Sequence, residues 1–520
     1  MDMRERIQQR IEEYREKMIA DIMEIVEIPS VSIAKVGELK YNESCRRAMS
    51  WYLEKATEMG FQTKMIDGKV GYVDLPAHKD DAPLWIIAVH LDVVPPGAGW
   101  KEVAEEIREA IGDIRAKEIA DAFHPVKIDN KIYGRGTTDD KGPAVGALYT
   151  LKIIRDLAIA RNVHLRIIFG ADEETALMRD MKCYIDSMGL PDCGISPDSG
   201  DYAHYGEKNR LIYKHVFGFA KDDPNVNTAL STLGFALESL KGGTADNMVP
   251  DRAEAVIHCL RTRPIADEVI RYNLGNVKDL PPEDLDDDSI RYTIRLEPVS
   301  NYKVRIVAEG KAAHAQDPSQ GMNAIQRLCI LLSDLFGNLT PQPIRFIRDM
   351  YMLEGDGASL GLKYSDDDGV LTACLSKMEY ALKGGYARVN LRFPQGKSFD
   401  SVKAQITRMS EQYGIETEFE YEAEGFKFDT EKPFYKALES AYETVMHEPL
   451  KKDIASIGTY ARAFGGKVLC FGTVLEGEQF PRYHQPGEFI NIDNFLKHLE
   501  IQIIGLKMAA ETCKAAEQSN

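Results

Sequence analysis

Cysteine is sparse in this chain: eight residues lie scattered from Cys45 to Cys513 among 520, with no C-x-x-C pair. That spacing excludes a thiolate zinc knuckle and a disulfide framework, and a reducing cytoplasm is the expected setting. Basic patches are missing too. With 64 Lys and Arg against 82 Asp and Glu the formal net charge is -18, which repels nucleic acid and anionic membrane surfaces, so neither is an expected partner. No uncharged run approaches the length that crosses a bilayer, and the opening MDMRERIQQRIEEYREKM is charged from its second residue with no apolar core of the export type. Short repeats and low-complexity linkers are also lacking. A soluble, unexported, cytoplasmic protein is expected.

The chain does have ample core material. Hydrophobic residues make up 44% and charged residues 28%, a globular composition, and the length favours at least two domains. Ile7, Ile11, Tyr14, Met18, Ile22 and Val26 recur at helical spacing, which predicts an amphipathic helix ended by Pro29. A second helix is expected from the N-cap Asn42 to Gly60. Strand-like FQTKMI, GYVDL and LWIIAVHL follow, then a charged stretch from Lys101 to Ala120 that reads as a solvated surface helix, a helix opening at Pro143, and the strand VHLRIIFG. Such alternation indicates a mostly parallel α/β sheet. After about residue 206 the segments IRYTIRLEPVSNYKVRIVAEG and YARVNLRFPQG alternate polar and apolar residues, as in an antiparallel sheet with one solvated face. Long helical patterns return from about Phe434. The expected organisation is one α/β domain, 1–206 and 431–520, interrupted by a large inserted α+β domain, 207–430.

Chemistry concentrates where strands stop. His90 and Asp92 close LWIIAVHL two residues apart, so they leave on the same side of the strand, where ligands of α/β sheets bind. Four other turns carry similar groups: Asp139 in YGRGTTDDKG, Glu173 and Glu174 in GADEET, Asp198 in ISPDSG, and His484 in RYHQPGEF. The glycine spacing around Asp139 fits neither a dinucleotide nor a P-loop pattern. Each turn alone reads as a cap, a solvated loop or a surface histidine. Together, two histidines and three or four carboxylates suit zinc, and one shared carboxylate lets two metals sit about 3.5–4 Å apart. His90 is then a ligand, and Asp92 is expected to orient its other ring nitrogen. Arg388, Asn390 and Arg392 share one strand face by period two, so Arg392 points away from the core side, where a solvated charge is the plain expectation.

The segments HLDVVP, GRGTTDDKG, DEET, SPDSG, NMVPD, AHAQDPSQGMNA, GTYAR and YHQPGEF, in this order, resemble the co-catalytic di-zinc metallopeptidases that include aminoacylase, succinyl-diaminopimelate desuccinylase, glutamate carboxypeptidases and carnosinase. The likeness spans nearly the whole chain and is closest to bacterial dipeptidases of the PepV and Sapep kind. It implies a zinc-peptidase catalytic domain carrying an inserted lid domain, and two zinc ions, with cobalt or manganese as possible substitutes. His90, Asp139 and Asp198 would hold one ion and Asp139, Glu174 and His484 the other, Asp139 bridging across a cis bond to Asp140. It further implies Glu173 as general base, Asp92 beside the site, His314 as oxyanion stabiliser, and Asn247, Arg392 and Gly458 as substrate-binding residues. The implied reaction is hydrolysis of dipeptides or short peptides by a monomer. An N-acyl-amino-acid deacylase or carboxypeptidase of the same mechanism is the alternative, and a non-catalytic peptide-binding or metal-binding protein a remoter one. Two departures flank ligands: Ala176 stands where relatives of this kind have Gly, and PDSGDY replaces PDAEFP.

Overall fold

A computed structural model of the chain describes residues 2–33, 37–106, 108, 112–199, 202–218, 224–278, 294–351, 355–456 and 458–519. Two compact units emerge, Met1–Glu207 with Phe426–Asn520, and Lys208–Gly425.

The first unit is built on a mixed sheet whose strands run, edge to edge, Gln62–Ile66, Val70–Leu75, His164–Gly170, Leu84–His90, Cys193–Ser196, Val468–Phe471, Ala203–Glu207 and Phe426–Lys427. The middle four are parallel and their flanking neighbours antiparallel, while Asp453–Ala455, off this row, pairs parallel with Ala203–Glu207. A central parallel strand must be apolar on both faces, and Leu84–His90 is: Trp85, Ile87 and Val89 enter one core layer, with Ile22, Tyr52, Leu148 and Leu499, while Ile86 and Ala88 enter the other, with Met181, Tyr184 and Phe464. The opening helix spans Met3–Val26, with Asp2 and Glu5 forming a capping box and Ile7, Ile11, Met18, Ile22 and Val26 buried as the periodicity predicts. Asn42 caps the helix Glu43–Glu58.

Two local expectations shift. The helix expected to open at Pro143 begins at Lys141, because proline in a first turn lacks an N–H that has no partner there anyway. The single solvated helix expected over 101–120 is replaced by two short ones, Trp100–Glu106 and Asp113–Ile119, and residues 107 and 109–111 lie outside the described part. Neither is wholly solvated: Trp100, Ala104, Ala116 and Ile119 form a small core of their own.

The second unit is an eight-stranded antiparallel sheet in the order Arg295–Ser300, Lys303–Glu309, Arg252–Cys259, Phe235–Gly242, Thr372–Ala381, Gly384–Phe393, Asn209–Phe217, Glu416–Ala423. One face packs against the helices Ala324–Phe336, Gln342–Met350 and Phe399–Glu411 through residues such as Leu328, Ile347 and Ile406. Among the described residues no helix is long and apolar enough to cross a membrane.

Candidate metal centre and active site

Three parallel strands lie side by side in the first unit, and each ends in candidate ligands: Glu173 and Glu174 after His164–Gly170, His90 at the end of Leu84–His90, Asp198 just past Cys193–Ser196. The turn before the helix Lys141–Asp156 adds Asp139, whose peptide bond to Asp140 is cis. His484 comes from the loop ahead of the short strand Phe489–Asn491 and holds a left-handed φ of 62°.

These six side chains converge. His90 Nε2 lies 3.0 Å from Asp139 Oδ1, 3.6 Å from Asp198 Oδ2 and 3.9 Å from Glu173 Oε2. His484 Nε2 lies 3.0 Å from Asp139 Oδ2 and 3.1 Å from Glu174 Oε2. Asp139 thus turns one oxygen to each histidine. His90, Glu173 and Asp198 offer ligand atoms within 4.8 Å of one another, as do His90, Asp139 and Glu174; the first of these triples holds Glu173 in the place where family resemblance puts Asp139.

A cation fits these donors. His90 Nε2 is buried and makes no hydrogen bond, although the Asp139 oxygen is close by, so nitrogen and oxygen converge without being aligned as donor and acceptor. The carboxylates also crowd one another. Burial, and then the charge of Asp139, pushes Asp198 up to about 7; burial drives Glu173 and Glu174 above the ordinary carboxylate range as well, against the pull of His90 and His484 respectively. For His90, burial lowers the pKa, but the Asp139 and Asp92 carboxylates outweigh it and raise the imidazole well above its usual value. Asp139 goes the other way: burial is overcome by the two histidines, which hold it low. Metal-free, the cluster retains protons that a divalent cation would displace.

His90 Nδ1 lies 2.9 Å from the Asp92 main-chain carbonyl and 3.5 Å from the Asp92 carboxylate. That carboxylate accepts from the backbone N–H groups of Glu173, at 3.3 Å, and Glu174, at 3.0 Å. It fixes the loop that carries both glutamates, which lies 81 residues further along the chain.

In the second unit Asn247, Met248 and His314 come together through a short antiparallel bridge: Met248 pairs with His314, and Ala315 N–H donates to the Asn247 carbonyl at 2.8 Å. Asn390 donates to the Asp246 carbonyl at 3.2 Å and accepts from Arg392 Nε at 3.1 Å. Arg392 is therefore beside the Asn247 segment, and at 2% exposure it is not the solvated strand charge that alternation suggests. Its face of the strand is covered by Val249, Ala315 and Cys374. In the first unit, Gly458 stands next to Thr459, whose N–H and hydroxyl donate to the buried Glu207 carboxylate, itself paired to Arg462 at 2.7 Å.

The family model described as Peptidase family M20/M25/M40 matches residues 86–503. The chain belongs to this family. A Staphylococcus haemolyticus protein provisionally named a dipeptidase is 29% identical over 490 residues, covering 93% of this chain and 94% of its own length. A Staphylococcus aureus protein with the same provisional name is 28% identical over 495 residues, with the same coverages. Among solved structures, human carnosine dipeptidase 1 aligns over 98% of this chain and 99% of its own, with a TM-score of 0.57 and 14% identity. A metallo-carboxypeptidase of Sulfolobus solfataricus aligns over 95% and 99%, with a TM-score of 0.54 and 14% identity. At such identities the structural likeness shows the fold. As a member of this family the chain is a metal-dependent peptidase.

In this peptidase further carboxylates hold the site. Glu488 accepts from the N–H groups of Gly136, Thr138 and Asp139 at 2.9, 3.1 and 3.3 Å, and pairs with Arg135 at 2.6 Å, cradling the Asp139 turn. Asp140 accepts the His90 N–H at 3.0 Å. In the sequence their only mark is their place inside YHQPGEF and GRGTTDDKG. Ala176 holds a φ of 60°, the left-handed region that favours glycine; Gly200 and Asp201 of PDSGDY lie outside the described residues.

Proposed function

We propose that this peptidase is a dipeptidase using two zinc ions, with cobalt or manganese able to substitute. His90, Asp139 and Asp198 are proposed to hold one ion and Asp139, Glu174 and His484 the other. The observation that carries this reading is the Asp139 carboxylate, whose two oxygens each lie 3.0 Å from a different histidine. When bound, such ions would lower the pKa of a shared water toward about 7 and polarise the scissile carbonyl.

The chain's own residues do the rest. Glu173 takes the proton from the attacking water and passes it to the departing amine, a task suited to a carboxylate whose pKa is raised by burial. His314 donates to the developing oxyanion. Asn247 and Arg392 hold the terminal carboxylate of the substrate, with Gly458 lining the approach; a guanidinium suits this because it can bind a carboxylate in two places at once. Asp92 and Glu488 keep the glutamate pair and Asp139 in place.

The segment 207–430 is proposed to act as a lid over 1–206 and 431–520 in a cytoplasmic monomer. What supports a dipeptide substrate is the provisional dipeptidase name of relatives that match 93% of the chain. The test compares hydrolysis of dipeptides, their N-acetylated forms and longer peptides by metal-loaded protein. Cleavage of the free dipeptides alone is expected; preference for the acetylated forms would make the chain a deacylase, and release of C-terminal residues from longer peptides a carboxypeptidase.

A further inference from the structure

Two buried carboxylates take the four consecutive N–H groups that follow the strand His164–Gly170. Asp92 receives those of Glu173 and Glu174. Asp180 Oδ2 receives the two before them, from Ala171 at 3.0 Å and Asp172 at 3.1 Å.

Asp180 does more than end a ladder. The same Oδ2 accepts from the hydroxyls of Tyr41, at 3.0 Å, and Tyr460, while Oδ1 accepts from its neighbour's N–H, Met181, at 2.7 Å. Both tyrosine oxygens reach back to the loop: Ala171 N–H is shared with Tyr41 at 3.2 Å and Asp172 N–H with Tyr460 at 3.3 Å. Tyr41 shares its one hydroxyl proton with the Lys69 carbonyl at 2.7 Å; the other partners of this fully buried side chain, three backbone N–H groups and the Tyr460 hydroxyl, are donors to it. Room for it comes from Gly170, where an added Cβ would lie 2.0 Å from Asp180 Oδ2. Tyr460 also sets its ring edge against the His90 ring, with centroids 6.1 Å apart.

The direction in which Glu173 leaves the backbone is fixed by the peptide planes on either side of it. Asp92 holds the planes at Glu173 and Glu174, and Asp180 the two that precede them. We propose that Asp180, acting with Tyr460 and Tyr41, is a positioning residue for the general base Glu173. This rests on the role proposed for Glu173 above. A purely structural Asp180, holding the first turn of the helix Arg179–Met188 through the Met181 N–H, would affect stability alone.

The test measures Asp180→Asn and Tyr460→Phe, each alone and combined with Glu173→Gln, for kcat, KM, bound metal and hydrogen exchange of a peptide spanning 170–176. Asp180→Asn is expected to lower kcat by up to about 100-fold, the scale for a displaced reacting group, with KM and metal content within about two-fold of the parent. Exchange at Ala171 and Asp172 speeds up in metal-free and loaded protein alike. In the Glu173→Gln background the same change costs nothing further, because a residue acting only through another has no effect once that one is removed. Tyr460→Phe keeps the ring and removes one hydroxyl, so it decides the matter by the same cycle, with a smaller loss, should Asp180→Asn not fold. An undiminished kcat per metal-loaded molecule, or a loss that adds in full to that of Glu173→Gln, overturns the proposal. A fully active Glu173→Gln would instead overturn the base assignment, and faster exchange at Ala171 and Asp172 in Asp180→Asn would still be seen.

Discussion

The Arg392 strand of the second unit and the ligand cluster of the first hold their side chains in opposite ways. In the second, Asn390 and Arg392 sit within a strand whose backbone is paired on both sides, with Thr372–Ala381 and Asn209–Phe217; the ladder alone sets where those side chains leave. In the first, His90, Glu173, Glu174 and Asp198 stand at or just beyond strand ends, and Asp139 and His484 in the turns ahead of a helix and a strand, where the ladder has run out and N–H groups need other partners. Carboxylates supply them: Asp92 and Asp180 for the loop 171–174, Glu488 for 136–139, Asp140 for His90. Strand ends therefore bring loops together through carboxyl clamps; Glu488 is paired with Arg135 at 2.6 Å and burial raises Asp140, Asp180 and Glu488 above the ordinary carboxylate range, so the place for cations is among Asp139, Glu173, Glu174 and Asp198 themselves. The second unit balances its charges internally, Asp246 meeting Lys377 at 2.7 Å and Arg388 at 2.9 Å.

The sharpest way to break this contrast is Asp139→Ala. If Asp139 is the carboxylate common to two ions, its loss removes both metals and all activity; a variant that keeps two tightly bound ions would show that the strand-end cluster does not depend on a shared ligand. Next in size is Glu173→Gln. An amide cannot take a proton from water, so turnover should fall by about 100- to 10,000-fold, the range for a lost general base, with metal content unchanged by elemental analysis. Metal loss in that variant, alongside full occupancy in Glu174→Gln, would exchange the roles of the two neighbours. His314→Ala probes the second unit: a fall of about 100- to 1000-fold in kcat is expected for one missing oxyanion donor, again with both metals kept. Unchanged turnover at saturating substrate would leave that unit a role in binding and shape only.

How legible this was depends on which groups meet. His90 could be read because a polar residue ending a buried apolar strand has few other uses. Asp92 shared that signal, but its carboxylate also serves N–H groups 81 and 82 residues away, a partnership that period two cannot reveal. Asp180 and Glu488 were silent for the same reason. An aspartate in RDMKCYID looks like any solvated helix residue until the fold brings Ala171, Asp172, Tyr41 and Tyr460 around it. Arg392 was placed on the correct strand face, but whether that face is wet depends on a cover formed by Val249 and Ala315, from segments more than seventy residues upstream. Both sheets were visible in their periodicity, since parallel and antiparallel strands bury different numbers of faces.

The smallest expected effect is on stability, and it separates the two units by pH. In the metal-free protein Asp198 is pushed from its ordinary 3.8 up to about 7 by burial and then by Asp139, and Glu173 and Glu174 move the same way. A carboxyl whose pKa is raised on folding contributes stability that is complete below the unfolded value and is lost as pH rises through the folded one. His90 has the same sign: burial is outweighed by Asp139 and Asp92, which raise it, so its contribution also fades on the alkaline side. Asp139, held low by the histidines against burial, has the opposite sign, but its window lies below its ordinary 3.8. The metal-free Tm should therefore fall steadily between about pH 4 and 7, the interval bounded by the Asp198 values. Asp180 and Glu488, which are not among the proposed ligands, are also pushed up to about 7 by burial, so cations that displace the protons of the cluster should make the fall shallower in the metal-loaded protein without abolishing it. Calorimetry with and without chelator across that range would show both curves. If they run parallel, the protons are not held at the strand-end cluster, and the crowding of its carboxylates is relieved by something other than a metal.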